Sequence, residues 1–394
     1  MTQKVAQLLN EYDLPVRIRF WDGSETGPPE RPVAVIRTPQ ALRRILWRPG
    51  ELGLARAYIS GDLGVEGDLT EALRLVLSHP RPKITKKAIK AALSIAAQLN
   101  LLAPPPKPPA CELRVHGRLH SRARDQAVVA GHYDVSAAFY QLILDPSMAY
   151  SCALWSEGQS LKDAQHAKLD LICRKLELTP GSKLLDLGCG WGSLTVHASR
   201  DYKAQVTALT LSREQGGYVT QRSKALGLAE RAHVTVQDYR DATGGPYDAI
   251  ASVEMGEHVG AANYPRFCAE LYRLIRPGGR LLIQQMSRAG RAPGGGPFIE
   301  SYITPDMDMR PTGDTLKLIE KAGFEVIGVQ AMRSHYVRTI RAWLDNFEAN
   351  IAQVRAILTA EQVRVWRLYL AGGALSFEEG RMGVDQILAV RPRR

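Results

Sequence analysis

The chain has 394 residues, 45% hydrophobic and 23% charged, which suits a soluble protein of more than one domain and excludes a short disulfide scaffold or a disordered polymer. Its five cysteines (Cys111, Cys152, Cys173, Cys189, Cys268) are scattered with no CxxC pair, which argues against a metal site and for a reducing, cytoplasmic setting. No stretch reaches the ~18 apolar residues of a membrane span, the first residues lack the apolar core of a signal peptide, and the net charge is +11.

In chain order, "VRIRFWDGS" and "RPVAVIRT" predict short strands around a turn. "PQALRRILWRP", "GELGLARAYISGD" and "DLTEALRLVLSH" predict short helices. "TKKAIKAALSIAAQLNLL" predicts a helix with lysines at one end and an apolar remainder, amphipathic enough to lie on a surface. It runs into "APPPKPPA" (103–110), whose five prolines predict a semi-rigid extended linker. Residues 81–124 carry ten Lys or Arg (Lys86, Lys87 and Lys90 among them) against the single acid Glu112, a net nine of the chain's eleven excess charges. Such a patch suits a polyanion, either nucleic acid or an anionic membrane surface; a solvated face is the plainer alternative.

From about residue 180 the pattern alternates. "KLLDLG", "QVTALT", "HVTVQD", "YDAIASV" and "RLLIQQM" are β-branched-rich runs of strand length, each followed by a helical or loop segment. This predicts an α/β fold, a doubly wound, mostly parallel sheet. "FEVIGVQ" and "DQILAVRP" add two strands, the last antiparallel at the end, with a helical insertion at about 338–380 between them. The expected division is a smaller, mainly helical domain over 1–102, a linker over 103–120 and a larger domain over 121–394.

"LLDLGCGWGSLTVHAS" (184–199) is a strand, a glycine turn and a helix start. Gly188, Gly190 and Gly192 allow a sharp turn and close approach of a ligand to backbone N–H groups. The spacing Asp186-x-Gly188-x-Gly190-x-Gly192 is not the dinucleotide fingerprint, and no Lys/Ser/Thr phosphate pair follows. It resembles motif I of the class I S-adenosylmethionine methyltransferases. Thr210, Ser212 and Gln215 then end the second strand, where a ribose would lie and where many such enzymes place an acid. Gln237, Asp238 or Asp241, at the end of the third strand, could bracket an adenine amine, or an Asp could cap the next helix.

Ahead of the loop, "GHYDVSAAFYQLILDPSMAYSCALW" (131–155) holds Tyr133, Phe139, Tyr140, Tyr150 and Trp155. A lid over a cofactor and an apolar channel explains its second half; plain core packing explains Phe139 and Leu142. Together with "LDLGCGWG", "TLSREQ", "QDYRD", "EHVG", "YITPD" and "HYVRTIRAW", this segment resembles the cyclopropane-fatty-acyl-phospholipid synthases and mycolic acid cyclopropane synthases, in order from about residue 115 to the end.

The resemblance implies transfer of a methylene from S-adenosylmethionine to the cis double bond of an acyl chain in a phospholipid, leaving S-adenosylhomocysteine. It implies a carbocation and a bicarbonate base gripped by the Cys152 main chain, Glu257, the histidine position with its neighbour, and Tyr336. Here, within "LLIQQMS", Gln284 stands at the histidine of the family pattern "LLHTI" and Met286 at its isoleucine. Gln284 cannot carry a proton or a charge, which opens a methylene- or methyl-branched product as an alternative to the ring. Glu254, where the family has a small residue, either restores a charge or faces solvent or an arginine; His258 packs or bonds locally. The resemblance also draws Tyr150, Ser151, Leu211 and Ser252 into the cofactor site. The implied partner is an anionic bilayer with unsaturated chains, engaged by a cytoplasmic, peripherally bound enzyme, and a homodimer is compatible with this. A nucleic-acid methyltransferase, the rival, would carry a motif such as Asp-Pro-Pro-Tyr after the fourth strand and aromatics among the basic residues; neither is present.

Overall fold

The computed structural model describes residues 2–9, 12–80, 86–133, 136–290 and 294–393; Arg81 and Lys83 of the basic segment lie outside the described residues. The chain forms two compact units, Met1–Glu112 with Leu358–Leu375, and Leu113–Ile357 with Ser376–Arg394.

In the first unit α1 (Thr2–Leu9), β1 (Arg17–Arg19), β2 (Glu25–Thr26), β3 (Val33–Ile36), α2 (Pro39–Trp47), α3 (Glu51–Ile59), β4 (Leu63–Glu66), α4 (Leu69–Ser78) and α5 (Lys86–Gln98) follow in turn. The strands form one sheet, ordered β2-β1-β3-β4. The short strands β2 and β4 go beyond the sequence expectation. Thr38 and Asp68 cap α2 and α4 through their side chains, as residues of that type do at helix starts. Phe20, Ile36, Ala41, Ala57 and Ile95 make the core.

The proline-rich segment is not free. Ala103 O accepts from Trp47 Nε1 at 2.9 Å and from Arg43, and Lys107 O accepts from Arg44 at 2.7 Å. Prolines lack N–H groups, so their segment offers carbonyls that outside donors must satisfy; α2 supplies them. The first unit accordingly runs to Glu112, whose carboxylate takes a two-pronged bond from Arg56.

The second unit contains α6 (Arg122–Tyr133), α7 (Ala137–Ile143), α8 (Leu161–Lys175), β5 (Lys183–Leu187), α9 (Ser193–Asp201), β6 (Gln205–Thr210), α10 (Arg213–Ala225), β7 (Ala232–Val236), β8 (Tyr247–Val253), α11 (Tyr264–Leu274), β9 (Ile275–Ser287), α12 (Pro297–Tyr302), α13 (Thr312–Lys321), β10 (Glu325–Ala331), α14 (Arg333–Ala349), α15 (Ile351–Ile357) and β11 (Gly383–Val390). Between α15 and β11 runs α16 (Ala360–Glu378), most of which belongs to the first unit, unlike the expected single insertion in the larger domain.

Seven strands form one sheet, ordered β10-β11-β9-β8-β5-β6-β7. β11 is antiparallel to both neighbours, as expected, but it inserts between β9 and β10 instead of taking the edge. Along β5 the side chains alternate faces. Leu185 and Leu187 join Ile250, Ile283, Phe267 and Leu271 on one side; Leu184 joins Ala249, Leu282, Leu169, Ile172 and Leu194 on the other. Helices therefore cover both faces, and the order reverses between β5 and β8. Ligands of open α/β sheets bind at the carboxyl ends of strands at such a reversal.

Candidate active site

A cavity of about 1030 Å³, its mouth included, opens at that reversal. Asp186, at the end of β5, is buried and accepts from Thr195 Oγ1 at 2.7 Å; burial pushes its carboxyl up to about 6. Gly188 and Gly190, both at positive φ, line the cavity. A Cβ on Gly188 would sit 2.9 Å from Met255 Cγ, whereas one on Gly190 would meet nothing within 4 Å. The first glycine serves close packing and the second leaves room for a ligand. Gly192 lines neither this cavity nor the next: it opens α9 at φ 78°, where a Cβ would lie 2.6 Å from Val219.

Thr210, Leu211, Gln215, Gln237 and Asp238 line the same cavity, as does His258. Other expected cofactor residues do structural work. Ser212 caps α10 by accepting from Gln215 N. Asp241 pairs with Arg122 on α6 at 2.6 Å. Ser252 is fully buried in β8 and lines neither cavity. Asp238 does both jobs, capping the next turn while pairing with Arg240 at 2.6 Å. Arg240 also pairs with Asp125, and Arg124 with Asp306, so three ion pairs fasten α6 over the cavity mouth that Asp125 and Val128 help line.

A second cavity of about 540 Å³ shares Gly188, Gly190, Gln215 and Glu254 with the first and is lined further by Tyr150, Ser151, Lys168, Asp186 and Trp191. Gln215 Nε2, although buried, has no hydrogen-bond partner. A donor orphaned inside a protein is costly unless a ligand satisfies it. The two cavities thus make one groove with a polar end, an open glycine turn and a waiting amide. That fits S-adenosylmethionine, for which Thr210, Gln215, Gln237 and Asp238 would flank one end and Ser151, Lys168 and Asp186 the other.

Glu254 stands where the two cavities join. Its Oε1 accepts from Cys152 N at 2.8 Å and Gln284 Nε2 at 2.8 Å, and its Oε2 accepts from Tyr336 Oη at 2.5 Å. The residue has φ 51°. For a side-chain-bearing residue this left-handed conformation costs about 1–2 kcal/mol, and such outliers cluster where geometry serves function. It turns the chain at the end of β8 so that the carboxylate meets all three donors. Burial raises the Glu254 carboxyl, opposed by Tyr336, Cys152 N–H, Gln284 and the Lys168 ammonium. Lys168, buried on α8, donates to Ser151 Oγ at 2.8 Å, and its own affinity for a proton is lowered by burial.

The sequence expectation put Glu257 in this place. The structure corrects it: Glu257 is fully buried, lines neither cavity, and neither carboxyl oxygen meets a well-aligned donor among the described residues. Burial, then the nearby Glu254, pushes its carboxyl well above the usual carboxylate range, opposed by the backbone N–H groups of Glu257 and Met286. Glu254 sits at the strand end and reaches the donors, whereas Glu257 opens a 3-10 turn behind it. Met286, on β9, also lines neither cavity. Cys152, Tyr336 and Gln284 do come together as expected, but around Glu254.

The first half of the segment is core, as its plainer reading has it, and the second half, expected to be a lid, is a pinned part of the cavity wall. Phe139 and Tyr140 are fully buried, Tyr140 packs on Tyr150 and Trp191, and Tyr150 packs on Trp343 of α14. Thr339 and His335 of α14 accept from Ala153 N and Trp155 N. Pinned in this way, the segment presents Met148, Tyr150 and Ser151 to the cavity as a fixed wall.

Fold and groove define a class I S-adenosylmethionine-dependent methyltransferase, an assignment that comparison with known proteins refines. The chain belongs to the mycolic acid cyclopropane synthetase family, whose model matches residues 120–387. It is 37% identical to a probable fatty acid methyltransferase of Pseudomonas putida, covering all of this chain and 96% of that one. To the tuberculostearic acid methyltransferase UfaA1 of Mycobacterium tuberculosis it is 30% identical, over 96% of this chain and 88% of the other. Among solved structures, mycolic acid cyclopropane synthase CmaA1 complexed with SAH and CTAB superimposes with a TM-score of 0.63 at 32% identity, covering 67% of this chain and 98% of that one.

Proposed function

We propose that the enzyme methylates a cis double bond in the acyl chain of a membrane lipid, with Glu254 as the base that ends the reaction. The observation that carries this is the cradle itself: Cys152 N–H, Tyr336 and the Gln284 amide hold the Glu254 carboxylate, where the family resemblance led us to expect a bicarbonate. A built-in base makes a bound anion unnecessary.

Bound in the groove, S-adenosylmethionine supplies a sulfonium methyl as electrophile. The alkene π-pair forms the new carbon–carbon bond as the sulfur–carbon bond breaks, and the positive charge passes to the neighbouring chain carbon. An alkene is a weak nucleophile, so orientation and dryness matter; the fixed wall of Met148, Tyr150 and Ser151 serves both. Glu254 stabilises the developing cation and then takes one proton from the added methyl. The freed pair either closes a ring directly or, after a hydride shift, forms an exocyclic methylene. Both products gain one CH₂ and both lose a methyl proton, so the same base serves either. The branched product is the reading we adopt, because the two long-range relatives above are named for fatty acid and tuberculostearic acid methylation. The ring keeps the support of the family description and of CmaA1.

Access to the lipid is assigned to the basic segment. α5 forms as a helix, with Lys90 and Leu93 exposed on it, and Leu102 is exposed just beyond it. Basic residues flanking exposed leucines suit an anionic bilayer surface. No helix among the described residues is long and apolar enough to cross a membrane.

The test supplies purified enzyme with methyl-deuterated S-adenosylmethionine and vesicles of unsaturated anionic phospholipid. Two deuteriums per modified chain are expected, with NMR separating methylene from ring. Acyl chains without label would end the proposal.

A further inference from the structure

Three adjacent strand positions, with the residue that follows β8, bring polar side chains into one row at the sheet. Gln330 on β10 is in register with Gln386 on β11, and Gln386 with Gln284 on β9. Glu254 follows β8, and its N–H donates to Gln284 O at 2.6 Å. Gln284 and Gln386 are both 0% exposed, an unusual place for two amides. At the far end of the row lies Lys175, the last residue of α8, whose ammonium donates to Gln386 Oε1 and Gln330 Oε1, each at 2.7 Å.

The bonds in this row all run the same way. Lys175 Nζ donates to Gln386 Oε1, Gln386 Nε2 donates to Gln284 Oε1 at 2.9 Å, and Gln284 Nε2 donates to Glu254 Oε1. An amide alone can face either way, since its two ends have nearly the same shape. An ammonium has only donors, so it admits only a carbonyl. Lys175 therefore fixes Gln386, and Gln386 fixes Gln284. Gln284 Nε2 also donates to Cys152 O at 3.3 Å, so two acceptors favour this orientation from the site end, and the anchor secures it from the other end by offering the amide carbonyl only a donor.

We propose that Lys175 is a positioning residue for the reaction: through Gln386 and Gln284 it fixes an amide donor on Glu254, and so keeps this carboxylate available as the base. The proposal rests on the reading of Glu254 as base given above. It explains how glutamine serves at the position where the family resemblance led us to expect histidine: the donor's direction is set by a cation at the end of the row rather than by a ring of its own. Chains of aligned hydrogen bonds also polarise one another, so part of the ammonium's influence reaches the carboxylate.

Other groups face the two ends. Around Glu254 these are the Tyr336 hydroxyl, the Cys152 thiol, Lys168 from α8 and the Glu257 carboxyl from the following turn. Around Lys175, Arg280 donates to its carbonyl oxygen at 3.1 Å and pairs with Glu177. Burial lowers the proton affinity of Lys175, yet no acid neutralises it at hydrogen-bond range among the described residues. Its side-chain acceptors among the described residues are the two glutamines.

The experiment measures kcat against pH on unsaturated vesicles at saturating S-adenosylmethionine for wild type, Lys175→Met, Lys175→Arg and Gln386→Leu. In Lys175→Met the acid limb should move up by about one pH unit, cutting kcat by up to about tenfold on the acid side of the limb, with recovery at high pH and unchanged donor KM. Lys175→Arg, which still can only donate, should restore the profile. Gln386→Leu should copy Lys175→Met, and the double variant should be no worse than either single one, because both break the same row. Equal losses at every pH, or multiplicative losses in the double variant, would overturn the proposal and leave a packing role. A readout without turnover separates this from the assignment of the base: isotope-edited infrared titration of the Glu254 carboxyl, identified against Glu254→Gln. An upward move of that titration in Lys175→Met supports the relay even if Glu254→Gln keeps activity and the base lies elsewhere. An unmoved titration overturns the relay even if Glu254→Gln is inactive.

Discussion

Glu254 and Glu257 are three residues apart and chemically identical, yet they occupy opposite environments. Glu254 receives three hydrogen bonds and faces a cavity; Glu257 meets no well-aligned donor among the described residues and faces the core. Burial alone drives a carboxyl towards its neutral form, while burial with donors and a nearby ammonium makes a usable base. The contrast teaches that the reactive carboxylate is chosen by the donors around it and not by its place in a motif.

The largest effect expected from this contrast is on turnover. Glu254→Gln should lower kcat by roughly 10³-fold, within the usual range for loss of a general base, with the affinity for S-adenosylhomocysteine unchanged by calorimetry. A variant that loses product affinity instead would make Glu254 a cofactor ligand. Next in size, Tyr336→Phe removes one charge-assisted bond, worth about 1.5–3 kcal/mol, so kcat should drop roughly 10- to 100-fold with its acid limb displaced upwards. Steady-state rates across pH 5–9 check both the size and the displacement.

A smaller effect belongs to the lipid surface. Lys86→Glu, Lys87→Glu and Lys90→Glu together should lose several-fold activity on anionic vesicles at low salt, and the difference should shrink as salt is raised. Activity on detergent-dispersed substrate should be retained; an equal loss there would point to folding.

The smallest effect concerns stability and comes from the other half of the contrast. Glu257 is raised well above 4.5 in the folded chain, so between that value and its folded value the native state binds a proton that the unfolded chain has released. Its contribution is complete at low pH and fades as pH rises; Asp186, at about 6, adds the same sign over a lower window. Glu257→Met should remove the Glu257 part, so that its melting temperature gains on wild type from pH 5 to pH 8, by about 2–4 °C per kcal/mol recovered. Parallel melting curves at all pH values would mean that Glu257 is ionised. Its turnover should fall much less than that of Glu254→Gln.

Much of this was legible in the residues. The strand runs, the glycine turn and the helix starts are local patterns, and each forms where its sequence predicts. Gly188 and Gly190, picked out by spacing, and Thr210 and Gln215, by position after a strand, all line the cavity. Gly192, Ser212, Asp241 and Ser252 looked equivalent to them in sequence, but packing and caps absorbed them. Lys168 and Lys175 were visible only as two lysines seven apart in a helix, hence on one face; nothing local showed that the face is buried. Gln386 stood in a plain apolar strand with no partner in view.

The sequence by itself determined the αβ alternation, the sharp glycine turn and the basic N-terminal stretch, because propensity, spacing and charge act over a few residues. Only the tertiary structure decided which glutamate meets the donors, where the last strand inserts, and that a lysine on α8 reaches the site through two amides. Those outcomes depend on strand register and on contacts between residues a hundred or more positions apart, and burial sets the charge of each group only once these contacts exist.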